Sequence, residues 1–204
     1  MSDKDPEAIV YVVDDDEAVR DSLGLLLTSA GRVNETFESA AAFLEAYRPG
    51  NVGCLVADIR MPGMSGLELQ QTLIERRIEI PIIFITGHGD VPMAVTAMKA
   101  GAQDFLDKPF RDRELLERID KALSKAAEDH QGQVEDAAIR ARYESLTPRE
   151  AEVMGFVVRG YANKVIAMDL GVSQRTVELH RARVMQKMAV RSLAELVLLS
   201  ERIG

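Results

Sequence analysis

The sequence predicts two folds in series: an α/β domain with a doubly wound, five-stranded parallel sheet, then a small all-α domain built on a helix-turn-helix. Three observations carry this. Five strand-type runs alternate with amphipathic helical stretches as far as residue 127. Three of those runs are almost wholly apolar, as parallel strands covered on both faces must be. From LTPRE (146–150) onward only helix signals remain.

The first strand, IVYVV (9–13), runs straight into Asp14, Asp15 and Asp16. Adjacent like charges repel, and a buried carboxylate is costly unless paired. Asp16 is accounted for as the N-cap of a helix over 17–29, where the macrodipole favours it. Asp14 and Asp15 have no such role. A weak second strand, VNETF (33–37), precedes Ser39, which starts a helix over AAAFLEAY. The third strand, GCLVA (53–57), leads into Asp58, and Ser65 with Glu68 forms a capping box for the next helix. The fourth, PIIFI (81–85), ends beside Thr86, and the fifth, DFLDK (104–108), ends at Lys108.

The stretch 124–145 is polar and Ala-rich; it fits a helical extension or a flexible linker, and Gly132 argues for a break. Beyond it, Thr147 suits an N-cap, Pro148 suits N1 and Glu150 completes a capping box. Helices are expected at about 148–159, 164–170, 174–188 and 192–202, with Asn163 and Ser173 capping the second and third. The short turn LGVS around Gly171 joins those two, which is the helix-turn-helix signal. The expected divisions are 8–123, a 124–144 linker, and 145–204.

Composition narrows the class. The chain has 204 residues and a net charge of −8, but residues 1–123 carry −9 and residues 146–204 carry +3. Such asymmetry points to different partners for each part. A lone cysteine, Cys54, permits no internal disulfide and suits a reducing cytosol. His88, His130 and His180 lack metal-ligand spacing and read as non-ligands. The acidic start MSDKDPEA is unlike a secretory signal, and no apolar run approaches the ~18 residues of a membrane span. A cytoplasmic location is expected.

Ligands of parallel α/β sheets bind at the carboxyl ends of strands, beside the topological switch point. With strand order 2-1-3-4-5, the ends of strands one and three are neighbours, so Asp14, Asp15 and Asp58 converge. A hard divalent cation would make that cluster tolerable, and Mg²⁺ takes one or two carboxylates plus waters. Asp58 alone reads as a loop aspartate and Lys108 alone as a surface lysine. Together, at four strand ends with Thr86, they are hard to explain that way.

These motifs carry a resemblance. Residues 8–122 resemble the receiver domain of bacterial two-component response regulators, a flavodoxin-like fold. The matching stretches are Asp14-Asp15, DIRMPGMSG (58–66), FITGHGD (84–90) and DKPF (107–110). TGHGDVPMAV and AMKAGAQDFLDKPF resemble the FixJ-type branch in particular. The resemblance implies that Asp58 accepts a phosphoryl group from a sensor histidine kinase, forming an aspartyl phosphate. It implies Mg²⁺ on Asp15, Asp58 and the backbone carbonyl of Arg60, with Asp14 acting largely through water. Lys108 would neutralise charge on the phosphoryl oxygens and Thr86 would donate a hydrogen bond to one. Thr86 and Phe105 would form the switch, although a strand Phe is more often plain core. A cis Lys108–Pro109 bond is also implied, against ~5–6% of X-Pro bonds in general.

Residues 145–204 resemble the LuxR-type DNA-binding domain, through TPREAEV (147–153), NKVIAMDLGVSQRTVELH (163–180) and SLAELV (192–197). On a helical wheel Val177, Val184 and Met188 share the core face, while Arg175, Leu179, Ala182, Arg183 and Gln186 lie opposite, toward a major groove. Leu179 suits a thymine methyl, or is a scattered surface leucine. Lys164, Arg175, Thr176, Arg183 and Lys187 are phosphate-contact candidates. Glu178 either accepts from cytosine N4 or is a solvated flank. Arg181 projects to the core side and is not a reader.

The expected protein is therefore a response regulator that catalyses its own phosphorylation and dephosphorylation and is otherwise no enzyme. It would dimerise on phosphorylation and bind double-stranded promoter DNA, with RNA polymerase as a further partner. One rival is a Mg²⁺-dependent phosphohydrolase with a helical accessory domain. Haloacid-dehalogenase-type enzymes, however, carry a second Asp two residues after the nucleophile, where this chain has Arg60. Another rival is a receiver whose helical tail binds only protein.

Overall fold

The computed structural model describes residues 8–87 and 91–203, Val91 by its backbone alone. His88, Gly89 and Asp90 of the fourth-strand motif, and the MSDKDPE start, lie outside them. Five parallel strands form one sheet: β1 (Ile9–Val13), β2 (Val33–Phe37), β3 (Gly53–Asp58), β4 (Ile82–Thr86) and β5 (Asp104–Asp107), in the order β2-β1-β3-β4-β5. The three apolar strands take the middle and are buried almost throughout; the weaker β2 and β5 form the edges.

Strand alternation splits the apolar side chains between two cores. Val10, Val12, Cys54, Val56, Ile83 and Ile85 face α1 (Glu17–Ser29) and α5 (Asp112–Glu144). Tyr11, Val13, Leu55, Ala57 and Phe84 face α2 (Ala40–Ala46), α3 (Gly66–Glu75) and α4 (Val91–Lys99). Cys54 is fully buried, and desolvation pushes its thiol up to about 12.

The expected caps form: Asp16 accepts from the Ala18 amide, Ser39 from Ala42, and Ser65 with Glu68 closes a reciprocal box. Gly66 opens α3 directly against the end of β3. A Cβ there would lie 2.4 Å from the Asp58 carbonyl oxygen, so only glycine permits this approach.

The chain divides into two compact units after His130. The stretch expected as a linker is wholly helical, within α5, and Gly132 does not break it. A helical glycine costs only about 1 kcal/mol against alanine, and its neighbours here are good helix formers. The helix is also anchored. Ile139 and Tyr143 join the second unit's core, and Arg202 pairs with Asp136 at 2.7 Å and Glu135 at 3.3 Å.

That second unit continues with α6 (Pro148–Val158), α7 (Asn163–Leu170), α8 (Gln174–Lys187) and α9 (Leu193–Glu201). Thr147 and Glu150 form the expected capping box and Ser173 caps α8. The expected Asn163 cap does not form. Ala162 takes the cap position without a side-chain bond, and Asn163 Oδ1 instead accepts from Arg181 Nη1 at 2.8 Å.

Candidate phosphoacceptor and nucleic-acid sites

The strand order brings the carboxyl ends of β1 and β3 together. Asp14 is 1% exposed, Asp58 is 9% exposed and Asp15 is open to solvent. One carboxylate oxygen from each lies within 4.8 Å of the other two. Lys108 closes the site: its Nζ sits 2.8 Å from Asp14 Oδ2 and 2.8 Å from Asp58 Oδ2.

Backbone geometry fixes these groups. Lys108 N donates to Thr86 O at 2.6 Å, strapping the end of β5 to that of β4, and Lys108–Pro109 is cis. The Arg60 amide donates to Asp58 Oδ1 at 2.8 Å, so both Asp58 oxygens are oriented, one by an amide and one by an ammonium. Asp14 Oδ1 accepts from the Asp16 amide at 2.9 Å. Arg20, which sequence reading passed over, donates from Nη1 to the carbonyl oxygens of Asp14 (2.9 Å) and Asp15 (3.0 Å).

Burial pushes the Asp14 carboxyl above the ordinary range, against the opposing pull of Lys108. Lys108 is also desolvated, but its hydrogen bonds to Asp14 and Asp58 outweigh that and hold the ammonium above its usual value. Burial thus works against the charged form of both groups, and only Lys108, with two carboxylates accepting from it, overcomes that. Three carboxylates against one ammonium leave two negative charges, which fits an oxygen-seeking divalent cation.

Thr86 ends β4 and is fully buried. Phe84 and Phe105 are register partners and Thr86 lies two residues beyond Phe84, so all three side chains stand on one face of the sheet. Phe105 is half-buried there against the core that α4 covers. Outside it, Ala94, Val95, Met98, Lys99, Asp104 and Phe105 line an open, largely apolar groove of about 600 Å³.

Two segments of the chain match family models: residues 10–120 match the response regulator receiver domain, and residues 144–200 match the luxR family of bacterial regulatory proteins. The chain is 51% identical over 195 residues to the transcriptional regulatory protein FixJ of Azorhizobium caulinodans, covering 94% of this chain and 92% of that one.

This chain is a response regulator.

It is also 47% identical over 203 residues to the response regulator protein TodT of Pseudomonas putida, covering 100% of this chain and 88% of TodT. Among solved structures, the response regulator StyR matches with a TM-score of 0.88 at 50% identity, covering 96% and 99% of the two chains. Full-length FixJ from B. japonicum matches with a TM-score of 0.59 at 47% identity, covering 96% and 97%. The response regulator thus pairs a receiver, whose partner is a sensor kinase, with a LuxR-type DNA-binding domain that makes it a transcription regulator.

In the second unit, burial follows the wheel. Val177, Val184 and Met188 are at most 1% exposed, while Arg175, Glu178, Leu179, Ala182, Arg183 and Gln186 are exposed, as is Lys164 on α7. Thr176 is half-buried at the start of α8, its hydroxyl 2.8 Å from that of Ser173. Lys187, expected as a phosphate contact, also holds an ion pair within its own unit. Its Nζ is 2.6 Å from Glu150 Oε2 and 2.9 Å from Ser145 O, neutralising a buried carboxylate. No wheel of α8 shows this, because Glu150 lies 37 residues away on α6.

Proposed function

We propose that Asp58 is the phosphoacceptor. One of its carboxylate oxygens attacks the phosphorus of a phosphohistidine on the sensor kinase; a P–O bond forms, the P–N bond breaks and the imidazole leaves. The observation that carries this reading is the Lys108 ammonium placed 2.8 Å from both Asp14 and Asp58. It holds positive charge where negative charge gathers on the transferring oxygens, so catalysis is positioning plus electrostatics. A Mg²⁺ ion held by Asp14, Asp15, Asp58 and the Arg60 carbonyl would neutralise more of that charge. The same groups support later loss of the phosphoryl group to water.

The Thr86 hydroxyl binds a phosphoryl oxygen, and Phe105, on the same sheet face, follows it inward. Together they couple the site to the α4–β5 groove, which becomes the surface of a phosphorylation-dependent homodimer. Residues 8–123 form the receiver and 145–204 the DNA-binding part, with Ile139 and Tyr143 of the intervening helix packed into the latter's core. On promoter DNA, α8 enters the major groove, with Lys164, Arg175, Thr176 and Arg183 on phosphates and Glu178 and Leu179 at base edges. RNA polymerase is the further partner, and the cytoplasm the place of action.

The deciding experiment incubates the full chain with Mg²⁺ and radiolabelled acetyl phosphate. Wild type takes up label, and Asp58→Asn, which keeps the shape but removes the nucleophile, takes up none. Label persisting on Asp58→Asn would move the acceptor elsewhere.

A further inference from the structure

We propose that Arg20 is a positioning residue for the cation of the phosphoacceptor site, an inference that rests on the reading above. In an extended strand, neighbouring side chains point to opposite faces, so Asp14 and Asp15 could not both reach Asp58. They do converge: the three carboxylates lie within 4.8 Å of one another. The chain leaves extended geometry just past β1 and bends at Asp15.

Arg20 holds that bend. One guanidinium nitrogen, Nη1, donates to two successive carbonyl oxygens, Asp14 O at 2.9 Å and Asp15 O at 3.0 Å. Successive carbonyls alternate in direction along a strand, so a donor that takes both fixes the backbone in its bent form. A second observation points the same way. Arg20 lies at the end of the first turn of α1, where the helix dipole disfavours a cation. Helix stability therefore does not explain the residue there, whereas the two carbonyls do.

This role and a purely Coulombic one predict opposite signs. If Arg20 acted only through its charge, removing it would strengthen Mg²⁺ binding, because a repelling cation would be gone. If it holds the bend, removing it loosens Asp15 relative to Asp14 and Asp58 and weakens binding. Losses of about 10–100-fold are usual when a group that orients metal ligands is removed.

The test is calorimetric Mg²⁺ titration of the unphosphorylated full chain as wild type, Arg20→Met and Arg20→Lys, with circular dichroism on each. Arg20→Met should bind Mg²⁺ about tenfold more weakly, and excess Mg²⁺ should recover its labelling by acetyl phosphate. Arg20→Lys keeps the charge and N–H donors but lacks the rigid planar guanidinium and its reach, so it should hold the two carbonyls less firmly and fall between the two; if Arg20→Met fails to fold, it carries the test alone. Unchanged or tighter Mg²⁺ binding in a folded variant overturns the role of Arg20 and leaves the site reading intact. Absence of Mg²⁺ binding in wild type overturns both.

Discussion

Asp14, Asp15 and Asp16 are identical side chains in a row, yet each has a separate task set by its backbone. Asp14 is buried against Lys108, Asp15 faces solvent at the edge of the carboxylate cluster, and Asp16 caps α1. Asp15→Ala should therefore weaken Mg²⁺ binding strongly. Asp16→Ala should leave it nearly unchanged while costing about 0.5–2 kcal/mol of stability through the lost cap. Calorimetric titration beside thermal melts checks both, and equal losses of Mg²⁺ affinity would refute the division. Side chains that act locally, such as Asp16, Ser65 and Thr147, were legible in the sequence because a cap needs only residues a few places away. The bonds of Lys187 to Glu150 and of Asn163 to Arg181 were not legible, because these partners are distant in the chain. Arg20 gave one faint signal, a cation in a helix's first turn.

Among the elements, β1, β3 and β4 were readable from apolar runs, since burial on two faces leaves few other sequences. The long α5 was not. Its midsection is polar, and tertiary anchors outweigh the local break signal of Gly132. Nothing lies within 4 Å of a Cβ at Gly132, so Gly132→Ala should stabilise the protein by about 0.5–1 kcal/mol, read as a raised Tm. Gly66→Ala should do the reverse. Its methyl would strike the Asp58 carbonyl, Phe84 and Ile59, at a cost of about 1–3 kcal/mol, and labelling by acetyl phosphate should slow.

Between α6 and α8, hydrogen bonds from Lys187 and the Thr147 amide hold Glu150 at about 2. A depressed carboxyl stabilises the fold fully above its unfolded value of about 4.3, and that contribution fades as pH falls toward about 2. In Lys187→Met most of this acid sensitivity between pH 5 and 2 should vanish, with lower stability at pH 7. A melt series against pH reads both, and an unchanged pH dependence would show that the pair does not act this way.

For the whole molecule the question is how the proposed phosphorylation of one acidic residue would control DNA binding. The second domain carries only +3, so a single copy should hold DNA weakly. Pairing two copies should raise affinity on the order of 10²–10⁴ by effective concentration, provided the phosphorylated state favours the dimer. The α4–β5 groove is the expected surface, with Ala94 and Met98 on it, while Met93 of the same helix packs against the core. Sedimentation and DNA titration of beryllofluoride-treated protein should show a dimer and tighter binding than untreated protein. A treated protein that stays monomeric with unchanged affinity would refute this coupling.

Cys54 has a practical consequence. The only thiol in the chain lies in the middle strand of the sheet, fully buried, and stays protonated until about pH 12. Maleimides and spin-label reagents, which need an accessible thiolate, will pass over the native protein. The chain also lacks tryptophan, so its intrinsic fluorescence is weak. A single cysteine or tryptophan introduced on an exposed position is then the sole reporter in the molecule. Distances and motions during signalling can be followed without first removing any native residue.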